Sequence, residues 1–470
     1  MAASIRPLPA PPAPPRSSCW RRQRLRSSSR AGSDSTDNLS ETCPRLPVGS
    51  SRLSVTELGS RFARFLAASS ASSLGTGLHL VAIPLLASSL TRDPRIIAAL
   101  AAASSVPSLL LALPVGAWVD RSHRGRLMVG SDLACAALLG GLVSLLLLGQ
   151  LELWHLFAVS AALGVAELVF GTSSFALLPS SVDKGKLVEA NGYLSTSSSV
   201  GSGIVGPAVG GAAYTAEPVL PFLANGVSYL ISAVLIGSFA WHKQPKEPSA
   251  PTSVETRGQR ARTYLADITA GAAFIKDNRS TRTLLVLVAS SSIFGWLPEA
   301  TLVLYAKEEL HLTDRGFGIF LAATTLGAVV GGLLSGRLFR RLGVSRLLIV
   351  TYATYGLLLI PPAFLTSGVA VGVLAFIQGI PLIACNSTTR SLQQTIVPAN
   401  LLGRVSAVFR IVGAATVPLS LTLGGFLGHW IGLRPVWAIA GTGFVLVLLL
   451  ELKGVRQISR DTDRALSPTA

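Results

Sequence analysis

Long apolar stretches alternate with short polar turns over most of this chain. Apolar runs of about 20 residues recur between Phe65 and Leu452, and each is long enough to cross the hydrocarbon core of a bilayer. They are apolar all round, which is unusual for soluble helices. The pattern predicts about twelve transmembrane helices, at roughly 63–88, 96–118, 127–149, 154–178, 189–214, 218–241, 282–306, 315–338, 344–366, 368–389, 404–430 and 433–452.

Composition agrees with a membrane protein. Only 13% of the 470 residues are charged, against about a quarter in soluble domains. The net charge of +17 lies in an arginine-rich N-terminal segment and in short loops, so it does not indicate a nucleic-acid partner. The four cysteines lack metal-ligand spacing. We therefore expect no disulfide framework, no metal site and no cofactor.

The loops between the predicted helices alternate in charge. Every second loop carries an excess of basic residues: Arg121, Arg124, Arg126, Lys184, Lys186, Arg337, Arg340, Arg341, Arg346, Arg390, Arg404, Lys453 and Arg456. The intervening loops, such as 150–155 and 307–315, lack that excess. Because basic loops stay on the cytoplasmic side of a plasma membrane, both termini are predicted to be cytoplasmic, as an even number of spans requires.

The chain divides into five segments by composition. Residues 1–60 form a Pro-, Ser- and Arg-rich arm, for which a disordered arm, a misassigned start and an organellar transit peptide all remain open. Two six-helix halves, 61–241 and 282–453, flank a linker at 242–281. Within it, 264–276 is predicted to form an amphipathic helix along the membrane surface. Residues 454–470 form a cytoplasmic tail.

The two halves repeat each other. Gly116–Arg121 closes the second predicted helix and Gly332–Arg337 closes the eighth, 216 positions later, and a basic turn follows each. A glycine- and proline-containing stretch in the fifth helix, 206–211, has a counterpart at 418–425 in the eleventh. Halves in the same orientation indicate a parallel repeat about an axis along the membrane normal, which is typical of transporters.

Several stretches resemble the major facilitator superfamily. Pro114–Arg126 is similar to that family's loop motif after its second helix, and Gly201–Gly211 to its fifth-helix motif associated with antiporters. The stretches 73–75, 82–86, 178–179, 393–398 and 402–405 further resemble the macrolide-efflux and enterobactin-exporter-like branch. The resemblance covers about residues 61–453 and implies an all-α membrane fold of two six-helix halves.

The loop motif combines one acidic residue with several basic ones: Gly116, Asp120, Arg121, Arg124 and Arg126. An aspartate at a helix C-terminus is unfavourably placed against the helix dipole, so it calls for a cationic partner or a neighbouring helix N-terminus. A charge cluster that forms on only one membrane face can latch one conformation. The alternative is that the basic residues only fix topology.

The fifth-helix motif contains Gly206, Pro207, Gly210 and Gly211. Small residues allow helices to approach closely, and the proline removes one backbone hydrogen bond and bends the helix. A tightly packed, bent helix between the halves would block leakage of water and protons. Close packing without such a role is the alternative.

Five charged or histidine residues lie away from the ends of the predicted spans, at depths where charge is expensive and commonly functional. Glu167 and Glu299 are the leading candidates for proton coupling or substrate binding, and His79, Asp132 and Arg410 follow. A carboxylate that exchanges its proton for a cation is a plausible coupling element. For Glu167 and His79 a structural or packing role is the alternative, and for Glu299 a place at the outer rim.

Three positions depart from the pattern of the resembled branch. Thr76 and Gly171 stand where acidic residues are common, and Cys135 stands where an arginine is often found. His79 lies three residues after Thr76, hence on the same helical face, and could replace the missing acid.

These observations predict a secondary active transporter, not an enzyme, and no nucleotide-binding loop is recognisable. The leading hypothesis is proton-coupled export of a small amphipathic molecule such as an antibiotic, drug or siderophore by a monomer. An importer or facilitator of the same fold, and a non-transporting sensor or scaffold, are the alternatives.

Overall fold

The computed structural model describes residues 58–182, 186–240, 268–398 and 401–466. The predicted N-terminal arm up to residue 57, Lys184 and the linker up to residue 267 lie outside the described residues. Residues 268–277, at the end of the linker, are helical. This helix packs against the next half, because a Cβ on Gly271 would lie 2.6 Å from the Arg404 carbonyl oxygen.

Every regular element in the described ranges is helical. The spans are α1 Ser60–Leu90, α2 Pro94–Arg121, α3 Arg124–Leu147, α4 Leu153–Leu177, α5 Leu187–Val200 with Gly206–Ala216, α6 Leu220–Ala240, α7 Arg279–Glu309, α8 Asp314–Leu334, α9 Arg346–Ala363, α10 Gly368–Ile396, α11 Leu402–Ile431 and α12 Leu433–Leu450. Eleven of the described helices are long and apolar enough to cross a membrane, and α5 is the twelfth span. The predicted all-α membrane fold is confirmed.

The glycine–proline motif interrupts α5. One π-helical turn, Gly201–Val205, joins its two segments. Pro207 follows directly, and because proline lacks an N–H and clashes with the preceding turn, a widened turn relieves both problems. A Cβ on Gly77 of α1 would lie 2.8 Å from Gly206 Cα. Glycine therefore allows α1 and α5 to cross with their backbones in contact.

A further helix, α13 (Leu452–Leu466), follows α12. Its contacts with α7 include polar ones, since Ser280 Oγ donates to Asp461 Oδ2 at 2.5 Å. Thr283 Oγ1 also donates to Glu451 Oε2, just before α13, at 2.7 Å. The segment predicted as a tail is therefore helical and anchored up to residue 466.

The spans form two halves, α1–α6 and α7–α12. We call the end of the bundle where α1 begins and α12 ends the terminal face, and the opposite end the distal face. The halves meet where α2 packs against α11 and where the distal segment of α5, Gly206–Ala216, packs against α8. The other segment of α5, Leu187–Val200, packs against α1 within its own half. As far as the described residues extend, the bundle is therefore closed at the distal face and open at the terminal face.

The distal closure is mainly apolar. Ala98, Ala102, Ala300 and Leu421 form a buried cluster between α2, α7 and α11. At its rim, His429 Nδ1 lies 3.7 Å from Asp93 Oδ1, which links α11 to the start of α2.

Asp93 also caps α2. It accepts a hydrogen bond from the Arg95 backbone N–H at 2.9 Å. The side-chain hydrogen bonds from the Arg95 guanidinium lower the pKa of the Asp93 carboxyl to about 2. The cap is therefore charged across the physiological pH range.

Candidate transport site

The N-terminal half contains a cavity of about 450 Å³ near the terminal face, which we call cavity A. Hydroxyl side chains are frequent in its wall: Ser69, Ser72, Ser73, Thr76, Ser131, Ser174, Ser195, Ser198 and Tyr229. Two carboxylates, Asp132 and Glu167, also line it. None of its described lining residues is a lysine or arginine. The cavity therefore favours groups that donate hydrogen bonds or carry positive charge.

Glu167 lies at the inner end of cavity A, in the middle of α4. Its Oε1 atom is 3.4 Å from both Thr76 Oγ1 and the Tyr229 hydroxyl, which donate long hydrogen bonds to it. His79 Nε2 lies 3.5 Å from the same oxygen. Two helices, α1 and α6, thus direct polar side chains to one carboxylate oxygen on α4.

Asn225 determines which nitrogen of His79 faces Glu167. Its amide Nδ2 lies 3.0 Å from His79 Nδ1, and an amide nitrogen can only donate. Neutral His79 therefore carries its proton on Nε2, the nitrogen that lies 3.5 Å from Glu167 Oε1.

A second cavity, cavity B, of about 300 Å³, lies between the two halves just inside the distal closure. Most of its lining side chains are apolar, among them Ile83, Leu100, Leu163, Phe317 and Leu421. Its acidic groups are Glu167 on the α4 side and Glu299 on the α7 side. An apolar chamber with a few convergent polar groups is typical of small-molecule sites.

Cavity C, of about 420 Å³, is lined mostly by the C-terminal half, and Leu80, Gly203 and Pro207 of the N-terminal half complete its wall. Its polar lining includes Ser291, Gln378, Asn386 and Tyr355. Glu299 lines both cavity B and cavity C, and its side chain is exposed to them. No hydrogen bond or ion pair to its carboxylate occurs among the described residues.

The two carboxylates therefore stand at the junctions between cavities. Glu167 lines cavities A and B, and Glu299 lines cavities B and C. A charged carboxylate at membrane depth is costly unless it binds a proton or a cation. This arrangement can bind either one at the two boundaries of an apolar chamber.

The match to a family model covers most of the chain. The model of the Major Facilitator Superfamily matches residues 65–419 and 284–466. The chain belongs to the Major Facilitator Superfamily. It is therefore a transporter of small molecules and not an enzyme, and it is a multi-pass membrane protein.

Curated relatives in the superfamily include efflux proteins. Macrolide efflux protein A of Streptococcus pyogenes is 24% identical over 358 residues, which cover 74% of this chain and 85% of that protein. Multidrug resistance protein MdtG of Yersinia enterocolitica is 25% identical over 337 residues, which cover 69% of this chain and 74% of that protein. The predicted efflux-like branch of the superfamily is therefore confirmed.

Solved structures share the fold. A bacterial homologue of the human lysosomal transporter Spinster, in an inward-facing and unoccupied conformation, matches with a TM-score of 0.62 and 14% identity over 87% of this chain and 98% of that one. A bacterial homologue of the iron transporter ferroportin, in an inward-facing state, matches with a TM-score of 0.61 and 18% identity over 86% of this chain and 100% of that one.

Within this superfamily member, the predicted site residues are only partly brought together. Glu167 and His79 are neighbours, Asp132 shares cavity A with Glu167, and Glu299 lies across cavity B. Glu299 thus faces the interior, although an outer-rim position was the alternative. Arg410 is exposed on α11 and lines none of the three cavities.

Two residues of the site carry no charge and were not predicted. Tyr229 contacts Glu167, and Asn225 orients His79, both from α6. Polar residues four apart on one face of an apolar helix are the signal that could have identified them.

The superfamily loop motif lies where α2 ends and α3 begins, at the terminal face. Asp120 is exposed and forms no ion pair among the described residues. Arg124 donates to the Ala176 carbonyl oxygen at 2.8 Å, at the C-terminal end of α4. This contact joins α3 to α4 within one half and leaves Asp120 available for a different conformation.

Proposed function

We propose that this superfamily member is a proton-coupled exporter of small amphipathic molecules, resident in the plasma membrane with both termini in the cytoplasm. The basic loops support this orientation, since they lie on the terminal face. In that orientation the open terminal face is the cytoplasmic one, and the conformation is inward-facing.

The position of Glu167 carries the proposal. Among the described residues, it is the one side chain that lines both the hydroxyl-rich cavity A and the apolar cavity B, and His79, Thr76 and Tyr229 contact it. A proton on Glu167 and a cationic or hydrogen-bonding substrate group beside it would compete for the same oxygen. Such competition links proton release to substrate binding, as exchange transport requires.

The character of cavity B supports an amphipathic substrate. Apolar walls favour a hydrophobic body, and the carboxylates at two sides favour a basic or hydrogen-bond-donating group. Export rather than import is supported by the relatives, whose names refer to efflux and multidrug resistance. Drugs, antibiotics and siderophores all fit this description.

Transport into inside-out membrane vesicles tests the proposal. We expect accumulation of a fluorescent amphipathic amine when the vesicle interior is acidified, and its loss when a protonophore collapses the gradient. Glu167→Gln should reduce the gradient-driven component to background. Glu308→Gln, at an exposed carboxylate outside all three cavities, should leave it unchanged.

Gradient-independent flux of wild-type protein would instead indicate a facilitator. Accumulation only in right-side-out vesicles would indicate an importer. No flux of any tested amphipathic compound, with the protein folded and inserted, would favour a sensor or scaffold.

A further inference from the structure

Asp132 is buried and incompletely paired at the base of cavity A. Its side chain is 1% exposed, and its Oδ2 atom has no hydrogen-bond partner among the described residues. The Ser232 hydroxyl of α6 lies beside the same carboxyl group. A buried carboxylate without a compensating partner is expensive, so this position calls for a proton or a cation.

Hydroxyl oxygens are frequent in the cavity that Asp132 lines. Ser69 Oγ, in the wall of the same cavity, is buried and has no partner among the described residues. Ser131 Oγ donates its proton to the Leu127 carbonyl oxygen at 2.9 Å, which leaves its lone pairs free to accept. Ser72 also lines the cavity and is 7% exposed. The site thus presents a negative charge and several neutral oxygen donors.

We propose that the base of cavity A binds a monovalent inorganic cation of the sodium type, with Asp132 as its anchor. This site goes beyond the exchange proposed at Glu167, which does not require it. Hard cations prefer oxygen ligands such as carboxylates, hydroxyls and water, and the polar side chains that line cavity A with Asp132 are of that kind.

The charge of the site favours a monovalent ion. Among the described residues, no group of three or more His, Cys, Asp and Glu side chains could hold a metal ion, and divalent sites commonly use several such groups. Glu167, the other carboxylate of the cavity, already contacts His79, Thr76 and Tyr229. One free carboxylate balances one positive charge.

The burial of Asp132 favours a bare ion over an organic ammonium group. Asp132 is 1% exposed, which leaves little room for a substituted amine to reach Oδ2, so the position is better suited to a small inorganic ion. The organic cation is therefore assigned to the wider region between Glu167 and cavity B, and the inorganic one to Asp132.

Binding of radioactive sodium to the purified full-length protein in lipid nanodiscs tests this site, with choline chloride replacing sodium chloride at constant ionic strength. We expect one saturable site per chain, displaced by unlabelled sodium and not by choline. Asp132→Asn should weaken binding at least tenfold, because it removes the only charge at the site. Ser131→Ala should weaken it less, and Glu308→Gln should not change it.

Several results would overturn the proposal. Absence of saturable sodium binding to folded wild-type protein would mean that Asp132 holds only a proton. Equal displacement by choline would assign the position to organic cations. Undiminished binding in a folded Asp132→Asn variant would place the ion elsewhere. Glu167→Gln separates this site from the proposed function, since it should abolish proton-driven transport while sodium binding persists.

Discussion

The crossing of α5 and α8 at the distal face is sensitive to a single methyl group. A Cβ on Gly211 would lie 2.6 Å from the Asp314 carbonyl oxygen and 3.0 Å from Gly318 Cα. Ordinary carbon–oxygen contacts begin at about 3.3 Å, so Gly211→Ala requires the two helices to separate by roughly 0.7 Å. Both opposing atoms belong to the backbone, so a change of side-chain rotamer cannot relieve the clash.

The cost falls on one conformation only. Overpacking of this kind destabilises the closed conformation by about 1–3 kcal/mol. A conformation in which α5 and α8 are separated at the distal face has no such clash and is not destabilised. The equilibrium should therefore shift by roughly 5- to 150-fold toward the state that is open at the distal face. Alanine also favours helix over glycine by about 1 kcal/mol, but that gain applies to both conformations.

Distances between spin labels measure the shift directly. Two spin labels report on the distal face, one at Glu217 between α5 and α6 and one at Thr366 between α9 and α10. They are introduced into a protein from which the native cysteines have been removed. Gly211→Ala should lengthen the main distance. Gly226→Ala is the matched control, because a Cβ on this α6 glycine would meet nothing within 4 Å. Identical distance distributions for both variants would refute the assignment of Gly211 to the distal closure.

Three further predictions concern charged or titratable groups. His79→Ala should alter the pH dependence of vesicle transport, because the imidazole lies 3.5 Å from the carboxylate that we propose for proton coupling. An unchanged profile would remove His79 from coupling. If Asp120 latches the state that is closed at the terminal face, Asp120→Asn should lengthen label distances across that face, whereas Glu189→Gln should not. Equal effects of the two variants would leave the motif only its role in fixing membrane topology. Asp93→Asn should leave the shape of the transport profile between about pH 5 and 8 unchanged, since a carboxyl with a pKa of about 2 is ionised throughout. Because that pKa is depressed, the stabilisation by Asp93 should be fully present above about pH 4 and lost toward about pH 2, as thermal unfolding of both proteins would show.

The fold was predictable because the bilayer constrains it so strongly. A span must be apolar and about 20 residues long whatever its neighbours are, so the hydrophobic pattern located the helices without tertiary information. Even α5 was predicted as one span at 189–214, although its π-helical turn divides it into Leu187–Val200 and Gly206–Ala216. The sequence contains the proline that explains the turn, but not its position.

The site was only partly predictable, because a sequence shows which residues are charged but not which side chains from different helices meet in space. Glu167 and His79 could be named individually, since ionisable residues are rare in spans. Their mutual contact, and the contribution of Asn225 and Tyr229 from α6, depend on how three helices rotate about their axes. A single sequence does not specify those rotations.

The two ends of α5 connect the distal closure to cavity A. Asn191, Ser195 and Ser198 of its first segment line the cavity, whereas Gly211 of its second segment packs on α8. If the π-helical turn between them bent freely, the distal face could open without any change at cavity A. The crossing of Gly77 and Gly206 opposes such bending, because it holds α5 against α1 at backbone contact beside that turn. We therefore expect α5 to move as a unit with its half, so that separation from α8 at the distal face carries its first segment toward the opposite half and narrows cavity A around Glu167.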